Sequence, residues 1–208
     1  MTTAEEHWDA RYAESTRIWS GKPNAALVVE VAGLTPGRAL DLGSGEGGDA
    51  IWLAQQGWQV TAVDVSPIAL GRAEQHAKEA GVDEQIEWQH HELGKSFPTG
   101  TFDLVSAQFL HSTIDLPREQ ILRQAAQAVA AGGILLVEGH LEFPDKARHD
   151  GHADVHFPTP AEVAADLGLG DDWEILTSAA HDSVKVIDGN EVHYQDGTLK
   201  ARRRAVTT

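Results

Sequence analysis

Short apolar runs alternate along the chain with stretches of helical periodicity. Arg38–Leu42, Val60–Val63, Ile86–Trp88, Phe102–Ser106 and Ile134–Val137 are β-prone, and the last is apolar throughout, as suits a central strand buried on both faces. Between them, residues 47–56, 66–80 and 117–130 space their apolar positions as helices do. The boundaries carry punctuation: Gly57 after the first helix, Ser66-Pro67 as N-cap and first-turn proline of the second, Gly81 at its end, and Gly132-Gly133 before the last strand. Strand and helix alternating in this way predict right-handed βαβ units and a parallel sheet with helices on both faces.

The flanks read differently. Residues 4–20 carry helical periodicity with aromatic and basic residues, and a second helix is expected over about 25–33, so residues 1–35 form a helical cap. Residues 36–140 are the α/β core of a single domain spanning 1–208. Beyond residue 140 a polar loop over 141–157 leads to Thr159-Pro160-Ala161-Glu162, a capping box opening a short helix. Two β-prone segments, about 173–180 and 190–205, are expected to close the sheet as a hairpin.

Composition narrows the function. The chain has 208 residues, 41% hydrophobic and 23% charged, as in ordinary globular proteins. It lacks cysteine, which excludes disulfides, thiolate metal sites and a cysteine nucleophile. A cytoplasmic protein without membrane association is the expectation, since no run has the length of a span and the first residues do not read as a signal peptide. A net charge of −16 would repel a phosphate backbone, so no nucleic-acid partner is expected and a small-molecule substrate is. Arg202-Arg203-Arg204 is read as a solvated strand end. Oligomeric state has no signature in the chain.

The chemistry concentrates at Asp41-Leu42-Gly43-Ser44-Gly45-Glu46-Gly47-Gly48, where a strand runs into a glycine-rich turn and then a helix. Glycine lets the backbone approach a ligand and take positive φ, and a helix N-terminus faces the same spot. Asp64 ends the second strand 21 positions after Gly43, where a carboxylate accepts from a ribose diol. Gly43, Gly45 and Gly48 also satisfy the dinucleotide template G-x-G-x-x-G, so the turn alone serves NAD as well as S-adenosylmethionine. Asp41 separates the two readings: a carboxylate there repels a pyrophosphate and attracts an ammonium or sulfonium group. Fewer than 70 residues follow the last apolar strand, too few for the substrate domain of most dehydrogenases. The order of preference is an S-adenosylmethionine-dependent enzyme, then a non-catalytic S-adenosylmethionine-binding sensor or partner subunit, then an NAD-dependent oxidoreductase.

Asp41–Gly47, Val63-Asp64-Val65-Ser66, Phe102-Asp103-Leu104-Val105 and Ala131-Gly132-Gly133 occur in that order. Together they resemble the class I S-adenosylmethionine-dependent methyltransferases. Trp8-Asp9-x-Arg11-Tyr12 and the compact size look most like the tellurite- and thiopurine-type branch. The resemblance implies a Rossmann-like seven-stranded sheet, order 3-2-1-4-5-7-6 with strand 7 antiparallel. It also implies S-adenosylmethionine as methyl donor and S-adenosylhomocysteine as product. By it, Asp41, Gly43, Ser44, Gly45 and Gly47 line the methionine end, Asp64 takes the ribose, and Val65 covers one adenine face. Glu92 falls where the family usually has an aspartate bonding the adenine amino group; with His91 it reads equally as an exposed turn pair. Leu93 contacts the ring edge, and Gln108 follows strand 4 beside the cofactor.

The acceptor is expected over the ends of strands 4 and 5. His111 and then His140 are the candidate acid/base groups, either of which also reads as a polar helper of its loop. Trp8, Tyr12 and Trp19 either wall the acceptor or pack the N-terminal helix on the sheet, and Arg11 either pairs with the acidic surface or binds an anionic substrate. His149, His152 and His156, interleaved by Asp150 and Asp154, have helical ligand spacing, but Gly151 and the proline flank oppose a helix. The stretch is read as a solvated lid, with no metal assigned.

Overall fold

A computed structural model describes residues 2–112, 114–142, 157–187 and 190–205. Seven strands form one sheet: β1 Arg38–Leu42, β2 Gln59–Asp64, β3 Ile86–His90, β4 Phe102–Gln108, β5 Val129–His140, β6 Trp173–Ile187 and β7 Asn190–Arg203. Their order is β3-β2-β1-β4-β5-β7-β6, and β7 runs antiparallel to both of its neighbours. The remaining pairs are parallel. The expected order and the antiparallel seventh strand are both present. No described helix is long and apolar enough to cross a membrane.

Helices α1 Ala4–Ala13, α2 Ala25–Val31, α3 Gly48–Gln55, α4 Pro67–Ala80, α5 Arg118–Ala128 and α6 Pro160–Asp166 lie around the sheet. Strand alternation splits the core in two. Leu40, Leu42, Val105, Leu135 and Val137 face α5 and α6 through Ile121, Leu122, Ala125 and Val163. Ala39, Val60, Ala62, Leu104 and Leu136 face α2 and α3 through Leu27, Val31, Ala50 and Leu53. Both sides of the central strands are therefore buried, which explains their unbroken apolar character.

Three boundaries differ from the expectation, each for a local reason. The N-terminal helix stops at Ala13 rather than residue 20. Ser15 Oγ accepts from Arg17 N–H and donates to Arg17 C=O, and Ile18 and Trp19 give their N–H groups to Glu46 instead of to a helix. The helix expected over 117–130 ends at Ala128, because Val129 pairs with Phe102 ahead of a register shift in the β4–β5 ladder. The hairpin is longer than expected, its β6 arm running on to Ile187. Lys200 and Thr177 anchor it to α2 through Glu30. In the arginine triplet, Arg202 pairs with Glu174 and Arg203 donates to the carbonyls of Gln127 and Val129, so two of the three guanidinium groups serve the fold. The segment holding His149, Asp150, His152, Asp154 and His156 lies outside the described residues.

Candidate functional site

The site lies at the carboxyl ends of the strands, where β1 and β4 part to opposite sides of the sheet order. Gly43, Gly45 and Gly47 all have positive φ, at 72°, 53° and 88°. The N–H groups of Gly43 and Ser44 both donate to Val63 C=O at 2.9 Å, which ties the turn to the end of β2. Gly47 ends the turn as N-cap of α3.

A row of polar side chains crosses one face here. Asp41 is in register with Ala62 and Ser106, Gln108 with Glu138, and Glu138 with Thr198. Asp64, Asp41, Ser106, Gln108, Glu138 and Thr198 therefore share a face, and all are buried. Three of the buried polar atoms in this region find no hydrogen-bond partner among the described residues: Asp41 Oδ2, Ser44 Oγ and Gln108 Oε1. The third accepts only, as does the first once ionised, and the second can accept. Burial pushes the Asp41 carboxyl well above the usual range, and the nearby Asp49 and Asp64 push it further. Such a site takes a cation with several N–H donors and disfavours a pyrophosphate. The amino end of S-adenosylmethionine fits it.

Asp64 closes the loop on the other side. Its Oδ2 accepts from Gly45 N–H at 2.8 Å and its Oδ1 from Ser66 N–H at 2.9 Å. Burial raises its pKa, while bonds from Ser66, Gly45 and Val65 oppose the shift. Each oxygen keeps a lone pair for a ligand hydroxyl.

The N-terminal cap sits directly over the turn. A Cβ on Gly45 would lie 3.0 Å from Tyr12 Oη and 3.3 Å from Trp19 Nε1. Tyr12 is buried and accepts from Trp19 Nε1 at 3.0 Å; burial, then the charge of Asp64, raises its hydroxyl pKa. Trp8 is half-buried and tilted against Tyr12. Arg11 is exposed and pairs with Glu14, away from the turn. The structure thus brings Tyr12 and Trp19 to Gly45 and leaves Arg11 in solvent.

Sequence reasoning missed the groups that hold the cap down. Glu46 is only 3% exposed although it sits within the glycine turn. Its Oε2 accepts from Ile18 and Trp19 N–H at 3.0 Å each, and its Oε1 from Arg72 Nη1 at 2.9 Å. Burial alone would raise its pKa, but the bonds from Trp19, Arg72 and Ile18 outweigh burial and hold it low. Arg72 also donates to Tyr12 C=O at 2.9 Å. Asp9 accepts from Ser66 Oγ and Ile68 N–H at the start of α4, and Asp49 accepts twice from Asn24 at 2.7 Å. A carboxylate inside a glycine turn was the one available signal.

The expected adenine contacts form a turn of their own. Val65 is half-buried, with its C=O against His90 Nε2 at 2.9 Å. Glu92 pairs with Lys95 at 2.6 Å, His91 bonds Ser96 and Gln89, and Leu93 is buried in the core.

Beyond Gln108 the polar row continues into the hairpin. His140, ending β5, sets its Nδ1 2.6 Å from Asp196 Oδ1, and Ser183 Oγ donates to the other oxygen of Asp196. His111 lies nearly parallel to His140, ring centres 5.8 Å apart, and its Nε2 accepts from His140 N–H at 3.4 Å. Both expected histidines therefore meet, as do Glu138, His181 and Thr198 one step along the row.

A methyltransferase-domain family model matches residues 39–133, the segment from β1 to the start of β5. Over that segment the chain is similar to methyltransferases, and its seven-stranded sheet has the order expected of the class I S-adenosylmethionine-dependent fold. Among methyltransferases it is 30% identical to the ubiquinone biosynthesis O-methyltransferase of Burkholderia multivorans, over 64% of this chain and 62% of that one. The chain thus spans less than two thirds of that relative's length. The structure reported for conversion of a disulfide bond into a thioacetal group during echinomycin biosynthesis superposes with a TM-score of 0.70 at 24% identity, covering 98% of this chain and 94% of the other. TehB from Haemophilus influenzae superposes with a TM-score of 0.66 at 18% identity, covering 96% and 67%. The names of methyltransferase relatives also include a ribosomal protein L11 methyltransferase and a ribosomal RNA small subunit methyltransferase.

Proposed function

We propose that this protein transfers a methyl group from S-adenosylmethionine to a small-molecule acceptor. The observation that carries the reading is the trio of buried acceptors without partners among the described residues, Asp41 Oδ2, Ser44 Oγ and Gln108 Oε1, beside a positive-φ glycine turn. When bound, S-adenosylmethionine supplies a methyl activated on a cationic sulfur and leaves as S-adenosylhomocysteine. Asp41, Ser44 and Gln108 hold the amino end; Gly43, Gly45 and Gly47 let the backbone approach; Asp64 receives the ribose hydroxyls. Val65, Glu92 and Leu93 border the adenine. Tyr12 and Trp19 roof the turn and exclude water from it.

The acceptor enters over the ends of β4 and β5, beside His111 and His140. A small molecule is favoured over a nucleic acid by the chain's net charge of −16 and by the structural use of Arg202 and Arg203. Calorimetry with S-adenosylmethionine, S-adenosylhomocysteine and NAD tests the first half of the reading: binding of the first two and not the third is expected. Release of S-adenosylhomocysteine with a panel of thiols, metalloid oxyanions, phenols and amines tests the second. Binding without turnover on any acceptor supports a sensor or partner subunit instead.

A further inference from the structure

We propose that His140 is the general base of this site, positioned by Asp196, and that the acceptor is a hydroxyl on an aromatic ring. The inference rests on the methyl-transfer reading above and names its acceptor chemistry.

The His140 Nδ1–Asp196 Oδ1 distance is 2.6 Å, and Asp196 is 1% exposed. An ionised carboxylate only accepts, so Nδ1 carries the proton and Nε2 presents its lone pair. Ser183 Oγ holds the second oxygen of Asp196 and fixes the carboxylate plane. Among the described residues no hydrogen bond engages His140 Nε2. His111 differs, since its Nε2 already accepts from His140 N–H. The arrangement is that of a base, an orienting carboxylate and a hydroxyl behind it.

The surroundings of His140 are aromatic. Phe109 lies 4.6 Å from it and Tyr194 5.0 Å, ring centre to ring centre. Phe109 has φ of 50°, the only positive value among described non-glycine residues. A bulky residue seldom adopts that conformation, and such outliers mark sites where position matters. Its N–H donates to Glu138 C=O at 3.0 Å and its own C=O accepts from His111 N–H at 2.7 Å, which holds the ring against His140. Among the described residues the titratable groups facing His140 are Asp196, His111 and Tyr194, with the Arg118 guanidinium beside His111 at Gly139.

Base strength selects the acceptor. An imidazole near pKa 6.5 is about 3.5 units below a phenol near 10, a gap that a positioned base bridges. A thiol, near 8.5, supplies thiolate without help. An aliphatic hydroxyl is a much weaker acid than a phenol and asks far more of an imidazole base. In the step, the phenol O–H bond breaks and its proton joins His140 Nε2. The oxygen's electron pair forms the new bond to the methyl carbon, and the pair of the methyl–sulfur bond stays on sulfur. The imidazolium, stabilised by Asp196, then releases its proton to water.

The test uses the full chain, His140→Gln, Asp196→Asn and Asp196→Glu, with catechol, benzenethiol and an alkylamine as acceptors. Catechol is expected to be methylated, with kcat lowered ~100-fold or more in His140→Gln while the Kd of S-adenosylhomocysteine stays within about twofold. Asp196→Asn should lower kcat and move the acidic inflection of the pH–rate profile, with partial recovery in Asp196→Glu. Without any cofactor, 4-nitrocatechol should shift towards its phenolate absorbance on binding the wild type and less so on His140→Gln. Catechol turnover within about threefold of wild type in His140→Gln, preference for the thiol, or equal 4-nitrocatechol spectra in the two proteins would overturn the proposal. Failure of the wild type to bind S-adenosylhomocysteine would instead overturn the methyl-transfer reading itself.

Discussion

The N–H of Gly45 donates to Asp64 Oδ2 at 2.8 Å, so the end of β2 is bonded to the glycine turn that follows β1. One carboxylate thus shapes the turn and, in the proposed reading, also receives the ribose. Asp64→Asn keeps the shape but sets an amide N–H against the N–H of Gly45 or Ser66. A buried donor left without an acceptor costs ~1–3 kcal/mol. The expected result is S-adenosylmethionine affinity weakened at least ~10-fold with an unchanged far-UV spectrum, measured by calorimetry and circular dichroism. Unchanged affinity would mean that the ribose is bound elsewhere.

Asp41 makes the opposite prediction for stability. Its carboxyl is buried, one oxygen lacks a partner among the described residues, and its pKa is raised well above the usual carboxylate range. A raised folded-state pKa means that the folded protein holds a proton the unfolded chain has lost. Stability is then greatest below the unfolded value of about 3.9 and declines as pH rises through the folded value. Asp41→Asn should therefore melt at a higher temperature than wild type at pH 8, by an amount worth ~1–3 kcal/mol, and the gap should narrow towards pH 5. The same variant should bind S-adenosylmethionine more weakly. A lower melting point at pH 8 with unaltered binding would show that Asp41 serves the fold rather than the ligand.

Whereas the strand order came from the family resemblance, the parallel sheet was legible because each βαβ unit writes its boundaries locally, as Ser66-Pro67 and Gly81 do around α4. The glycine turn was legible for the same reason. What holds the cap to that turn was not. Asn24 and Asp49 are 25 positions apart, and Ser66 and Asp9 are 57 apart. Asp196 meets His140 across 56 positions, through a pairing register that no local pattern specifies. The first helix was drawn too long because its apolar periodicity continues past Ala13 while its N–H groups are claimed by a distant glutamate. Arg11 was grouped with Tyr12 by proximity in sequence, but one position on a helix turns a side chain by ~100°, and Arg11 faces solvent.

Glu46 predicts a cap that opens in acid. Its folded-state pKa is lowered, so the stability it contributes is present above the unfolded value of about 4.3 and is lost as pH falls through the lower folded one. Glu46→Gln retains acceptors for Ile18 and Trp19 but loses the charge that faces Arg72. The expected loss is ~1–2 kcal/mol, confined to the cap. Hydrogen exchange of the Ile18 and Trp19 amides should quicken ~5- to 30-fold in the variant at pH 6, while β1 and β4 amides keep their protection. Equal quickening across the sheet would mean that Glu46 supports the whole fold rather than the cap.

Gly45 joins the two functions of the turn, and its substitution should damage both. Its φ of 53° is left-handed, and a Cβ there would lie 3.0 Å from Tyr12 Oη and 3.3 Å from the Trp19 indole. Alanine pays ~1–2 kcal/mol for the backbone alone. The methyl must then push aside Tyr12, which is buried and tethered through Arg72. Gly45→Ala should therefore weaken S-adenosylhomocysteine binding more than Glu46→Gln does, because it alters the ligand-facing backbone as well as the roof. Tryptophan fluorescence offers a separate readout, since Trp19 Nε1 bonds Tyr12 in the closed cap. A red shift in Gly45→Ala together with weaker binding is the expected pair. Weaker binding with an unchanged spectrum would assign the effect to the turn alone and leave the cap closed over it.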